Sequence, residues 1–218
     1  MTVDQYWNWL ENSFVSNLRA QQWYNGDAPR YLSGFLNDKS SRLIGWAMIR
    51  QLRIKPELCD DQRLETICEH SYSIFNEDKR SYQPGWLNET TNQTYSSSIV
   101  KAFQYRSSDT LDTYPYIGEY ATYAGGGYVY EFRGSLVDMQ TNLSRLHELQ
   151  WIDVKTRAVL IQMTLYNPNV KLLTSVTMLT EFLSTGGLFP SARFEPINFY
   201  SKFTRNSLSS HSLLYCIV

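Results

Sequence analysis

Apolar residues recur at every second position as Val159, Ile161, Met163 and Leu165. The same period returns after Asn167-Pro168-Asn169 as Val170, Leu172, Thr174, Val176, Met178, Thr180 and Phe182. Successive side chains of a strand point to opposite faces, so this spacing predicts a long antiparallel hairpin within residues 156–190. Proline fixes φ and asparagine tolerates left-handed backbone, which suits the turn. The pair Gly186-Gly187 and Pro190 ends the second strand. A plain sheet core accounts for the whole pattern.

Elsewhere the period is helical. Thr2 and Gln5 form a capping box ahead of Tyr6, Leu10, Phe14 and Leu18, which predicts a helix over residues 3–18; Trp7 and Trp9 fall on its other faces, as on a helix covered on more than one side. A second box, Ser135 with Asp138, opens a helix through Leu136, Leu143, Leu146 and Leu149 to Gln150. Residues 46–54, WAMIRQLRI, read as a strand with an exposed face carrying Arg50 and Arg53. Residues 61–75 read as a short helix whose Glu65 and Glu69 form a solvated face rather than an acid–base pair. Residues 76–112 are polar and irregular, and read as loops with short strands. Gly125-Gly126-Gly127 precedes a strand, Tyr128-Val129-Tyr130-Glu131-Phe132. A phosphate cradle needs its glycines to follow a strand and open a helix, so these serve a turn instead.

Composition narrows the function classes. The 218 residues are 43% hydrophobic and 19% charged with a net charge of -1, which describes one folded domain. Lysine and arginine are scattered, so neither a nucleic acid nor an anionic bilayer is an expected partner. No apolar run is long enough to span a bilayer, and the N-terminus lacks the features of a signal peptide. The closing SSHSLLYCIV turns apolar, as a docking tail or as the first residues of a membrane helix. Sixteen Tyr and six Trp suit either a subunit interface or a sugar-binding surface.

Candidate chemistry is sparse. Cys59 and Cys68 bracket a short polar loop, and their spacing leaves a disulfide and a pair of free thiols both open; Cys216 is the odd one. Zinc on Cys59, Cys68 and His70 fails on spacing and ligand count. The sequons at Asn88, Asn92 and Asn142 are near the number expected by chance. Asn88 and Asn92 lie in a polar loop that would carry N-linked glycans, and acceptance at Asn142 depends on the face of its helix. His70, His147 and His211 stand in unrelated contexts, with no nucleophile elbow or metalloprotease motif, so no catalytic residue, metal or cofactor is assigned.

Five stretches, YWNWLENSF, IRQLRIKPELC, EYATYAGGGYVYEF, LQWIDVKTRAVLIQMTLYNPNVKLL and TMLTEFLSTGGLFPSARFEPI, resemble in order the extracellular or luminal domain of the polycystins. These are TRP-type channel proteins, and the domain lies between their first and second membrane helices. The combination R-Q-L-R-x-x-x-x-x-C, W-[IL]-D-x-x-T-R-A and E-F-x-x-T-G-G carries the resemblance. It implies an α+β fold: an antiparallel sheet with a long central hairpin, helices on one face, and a projecting finger closed by a Cys59–Cys68 disulfide. It also implies a homo- or hetero-tetrameric ring with other polycystin subunits above the pore of a membrane-embedded cation channel. The aromatic surplus then reads as interface, residues 213–218 as the start of the second membrane helix, and Cys216 as unpaired. An extracellular ligand- or carbohydrate-binding module is the alternative.

Overall fold

The computed structural model describes residues 2–22, 24–27, 34–55, 57–58, 67–68, 70–89 and 94–197, with 57–58 and 67–68 given by backbone alone. Helix α1 (Val3–Asn8) opens on the expected box: Thr2 Oγ1 accepts from the Gln5 N–H at 3.3 Å, and Gln5 Oε1 accepts from the Thr2 N–H at 2.9 Å. A widened π turn (Trp9–Phe14) and α2 (Val15–Leu18) continue it over the predicted span. Tyr6, Trp7, Leu10, Phe14 and Leu18 are all buried, so the run is covered on more than one side.

Strand β1 (Arg42–Arg53) follows, then the two-residue strands β2 (Glu57–Leu58) and β3 (Ile67–Cys68), which pair with each other. Of the predicted helix at 61–75, residues 61–66 and 69 lie outside the described residues, 67–68 form β3, and 70–75 are not helical. Beyond them α3 (Ser97–Ala102), β4 (Tyr105–Arg106) and α4 (Ser108–Leu111) occupy part of the segment read as loops with short strands. Both short helices start on serine caps, Ser96 and Ser107. A small hairpin, β5 (Tyr116–Ile117) and β6 (Thr122–Tyr123), leads into β7 (Gly127–Glu131) and α5 (Leu136–Glu148). The Ser135/Asp138 box caps α5 as expected.

The predicted long hairpin is β8 (Thr156–Asn167) and β9 (Leu172–Phe182), antiparallel with Ile161 opposite Met178 and Met163 opposite Val176. Asn167 Oδ1 accepts from the Asn169 N–H at 3.0 Å, but Lys171 takes the left-handed residue of the turn, φ 53°. Gly186-Gly187 does end β9, yet Pro190 ends nothing. It lies inside a third strand, β10 (Leu188–Ile197), paired along β9. A proline supplies no N–H to a ladder, so Pro190 and Pro196 are tolerated because β10 is an edge.

The sheet order is β10-β9-β8-β1-β7-β4, with every pair antiparallel. Strand β1 is therefore central rather than exposed. One face, carrying Ile49, Tyr128, Tyr130, Val159, Ile161 and Phe182, packs against Tyr6, Trp7, Leu10, Met139, Leu143 and Leu146 of the helices. The α+β class with helices on that face holds. The opposite face buries a smaller cluster, Leu52, Ile54, Ala158, Leu160 and Leu179, beneath Tyr72 and Tyr123. Many large rings, among them Trp7, Trp151, Phe103, Tyr128, Tyr130 and Phe132, are core. The aromatic surplus thus builds the interior first, and an interface can draw only on the rings left outside.

Candidate functional site

The buried charges of the sheet are bound to backbone groups and to distant side chains. Residues 50 and 53 differ by three, so they lie on opposite faces of β1, and both are buried. On one face the Arg50 guanidinium donates to the carbonyls of Ala124 at 3.2 Å, Gly126 at 3.5 Å and Gly125, and to Thr113 Oγ1 at 3.4 Å. Burial pushes the pKa of Arg50 down to about 10, and the nearby Tyr72, Glu77 and Tyr105 push it back toward its ordinary value. On the same face the Glu181 carboxylate accepts from the N–H groups of Glu119 at 3.1 Å and Tyr120 at 3.0 Å, and from the Tyr123 hydroxyl at 2.8 Å. Arg50 of β1 thus holds both ends of the segment that carries β5 and β6, and Glu181 of β9 holds the turn between those two strands.

The glycines make this clamp close. A Cβ on Gly118 would meet the Glu181 carboxylate at 2.4 Å, and one on Gly126 would meet the Tyr105 hydroxyl at 2.3 Å. Gly127 has φ 144°, and a Cβ on it would lie 2.6 Å from the Gln51 carbonyl oxygen. These positions require glycine for close approach and backbone freedom.

On the opposite face Arg53 pairs with Asp153 at 2.8 Å and stands 3.3 Å from the centre of the Trp86 ring. Thr156 Oγ1 accepts from the Gln51 amide and itself donates to Asp153 Oδ1 at 3.2 Å. Trp151 Nε1–H donates to the Ala102 carbonyl at 2.8 Å, and Arg157 donates to the carbonyl of His70 at 2.9 Å. Two pairs, Gln51 with Thr156 and Arg53 with Asp153, thus join the motifs R-Q-L-R and W-I-D-x-x-T-R-A.

Glu77 is the ill-matched charge. Burial raises its pKa, against the pull of Lys79 at 3.6 Å and the Tyr105 hydroxyl at 3.4 Å. Burial also raises Asp78, but hydrogen bonds from Arg80 and from the Tyr82 hydroxyl at 2.6 Å outweigh it, and its pKa ends below the ordinary value.

The residues named from sequence are not brought together. Cys59 lies outside the described residues, and of Cys68 only the backbone, opposite Glu57, is described. The pairing and the shape of the finger lie outside them too, as do Asn92, His211, Cys216 and residues 213–218. Asn88 is exposed in a bend after Leu87, whereas Asn142 is half-buried in α5 beside the Tyr130 hydroxyl. His147 stacks on Trp7, centroids 4.8 Å apart, and its Nδ1 lies 3.1 Å from Glu11 Oε1. Among the described residues no three His, Cys, Asp or Glu side chains gather as a metal site.

A cleft of about 820 Å³ opens between the start of α1, the end of α5 and the β9–β10 turn, lined by Trp7, His147, Asp153, Lys155, Arg157 and Ser184 among others. Elsewhere the surface carries exposed rings: Tyr114, Tyr120 and Phe189, with Tyr120 against Phe189 at 5.0 Å, and Trp46 on β1.

The model of the family described as Polycystin domain matches residues 1–200. Location of vulva defective 1 of Caenorhabditis elegans is 31% identical over 202 residues, 89% of this chain and 6% of that protein. Polycystin-2 of Danio rerio is 32% identical over 201 residues, 90% of this chain and 21% of that protein. Polycystin-2-like protein 1 of Homo sapiens is 28% identical over 194 residues, 87% of this chain and 22% of that protein. The chain thus corresponds to less than a quarter of the length of each of these relatives.

Proposed function

The chain belongs to the polycystin-domain family, and from that premise we propose that it is the extracellular assembly and gating-support domain of a cation-channel subunit. Four such domains, from one kind of subunit or two, form a ring above a pore that other parts of the protein supply. The domain faces the extracellular space or a lumen. Its finger is closed by Cys59–Cys68, its glycans sit on Asn88 and Asn92 before Asn142, and residues 213–218 lead into a membrane helix.

One observation carries this reading. The charged residues of the family motifs are spent on holding the fold, Arg50 and Glu181 on one face and Arg53, Asp153 and Thr156 on the other. What the clamped segment presents outward is exposed Tyr114, Ile117 and Tyr120 beside exposed carboxylates, the chemistry of a contact surface. The test is native mass measurement of the full-length protein, gently extracted from its membrane. Assemblies of four subunits support the reading, and a monomer overturns it.

The cleft beside Trp7 favours the second reading, a ligand- or carbohydrate-binding module. It has less support, because Trp7 is buried and its ring face is already stacked on His147, leaving no open platform for a sugar. A glycan array that retained this protein through the cleft, and lost it on Lys155→Ala, would favour the second reading.

A further inference from the structure

Two exposed aromatic patches of opposite charge lie on different parts of the sheet. The first sits where five residues of β1, Ile44 to Met48, span what three residues of β8, Gln162 to Thr164, span. Such a bulge re-aims side chains, and Gly45, with φ 70° and open space around it, allows this one. It leaves Trp46 46% exposed and Ile44 40% exposed. The Arg19 and Arg133 guanidinium groups stand 5.7 and 5.3 Å from the Trp46 ring, and Arg42 is exposed nearby on the same strand. Arg133 and Arg106 share the single carboxylate of Glu131, so the patch keeps a net positive charge.

The second patch is the clamped segment. Between residues 107 and 126 the chain has Asp109, Asp112 and Glu119, all exposed, and no lysine, arginine or histidine. Tyr114, Ile117 and Tyr120 are 57%, 80% and 50% exposed, and Tyr120 rests on Phe189 of β10. Arg50 and Glu181 hold this segment by its backbone, so its side chains are presented on a fixed base. Glu181 is in register with Ala158 and, through it, with Leu52. Trp46 and Glu181 are thus separated along the sheet by about 20 Å at ordinary strand rise, which keeps the Trp46 ring away from the turn that Glu181 holds within one chain.

Tryptophan, tyrosine and arginine are the residues that dominate protein interfaces, and such hot spots pair with hot spots. We propose that the Trp46 patch of one copy of this chain docks onto the acidic tyrosine segment of the next copy, in a head-to-tail contact. Opposite charge at unlike patches favours this over pairing of a patch with itself, and head-to-tail contacts close into rings when the rotation allows. This rests on the proposed ring and names the surfaces that build it.

The test uses the full-length protein in its membrane. Trp46→Cys and Tyr120→Cys are made on separate copies and co-expressed, then exposed to mild oxidant. A covalent dimer from the mixture and none from either variant alone supports the proposal. A dimer from Trp46→Cys alone overturns it in favour of a symmetric contact. Native tetramers with no cross-link overturn the surfaces and leave the ring standing, whereas absence of any oligomer overturns both. Because cysteine replacement of Trp46 removes a large ring, a charge swap serves as a second arm. Arg133→Glu or Asp112→Arg alone should each lower subunit association about fivefold, and the two on opposite copies should restore it. Failure to restore it counts against the pairing.

Discussion

At the residue scale the domain depends on buried charges whose partners are distant in sequence. Replacing Arg50 with leucine would strip the donors from the carbonyls of residues 124–126 while leaving them buried. The expected loss is about 3 kcal/mol, read from urea unfolding of the variant against the wild type. Glu77 makes a prediction of opposite kind. Its folded pKa is raised above its ordinary 4.5, so between those values the folded chain keeps a proton that the unfolded chain has lost. Stability therefore falls as pH rises through that window. Glu77→Gln should gain on the wild type as pH rises from 4.5, and parallel unfolding curves from pH 4 to 7 would contradict this. Asp78 and Glu131, whose pKa values lie below their ordinary ones, act in the other direction: their contribution is present at neutral pH and is lost in acid.

The charges also mark the limit of what the sequence made legible. Arg50 and Arg53 read as one exposed face because arginine is rarely buried without partners. The partners are Thr113 and the Ala124–Gly126 carbonyls for the one, and Asp153 for the other, on average some tens of residues away or more. One local signal was available. A spacing of three places the two arginines on opposite faces, so a strand with a core on either side must bury at least one.

At the element scale, strict alternation and capping boxes were enough. The β8–β9 hairpin, the helical run of residues 3–18 and α5 lie where period and caps place them, because each signal is local. Strand β10 escaped because Pro190, Pro196 and the polar residues between them argue against a strand, and only its position at the sheet edge makes them acceptable. The short helices α3 and α4 escaped for a different reason: each is a single capped turn or two in a polar segment, without enough length to show a period. The clamp gives this scale its tests. Glu181→Ala would release two N–H groups and the Tyr123 hydroxyl, so amides of residues 114–123 should exchange with deuterium faster while those of β8 stay protected. Gly127→Ala forces a side chain into a left-handed backbone against the Gln51 carbonyl. A loss of about 2 kcal/mol or more is expected, again by denaturant unfolding.

At the scale of the whole molecule, the interior uses many of the aromatic residues and the motif charges, and the surface keeps two ring-bearing patches of opposite sign. Asn88 is exposed and open to a glycan, whereas Asn142 sits half-buried beside Tyr130. Peptide mapping after enzymatic deglycosylation should find Asn88 converted to aspartate and Asn142 unchanged. The central claim, that this domain assembles a channel subunit into a ring, is tested most directly by electron cryomicroscopy of the intact protein in lipid. The account predicts four copies of the domain around the pore axis on the extracellular or luminal side, with Trp46 of each beside Tyr120 of the next. Single domains standing apart from one another would contradict it.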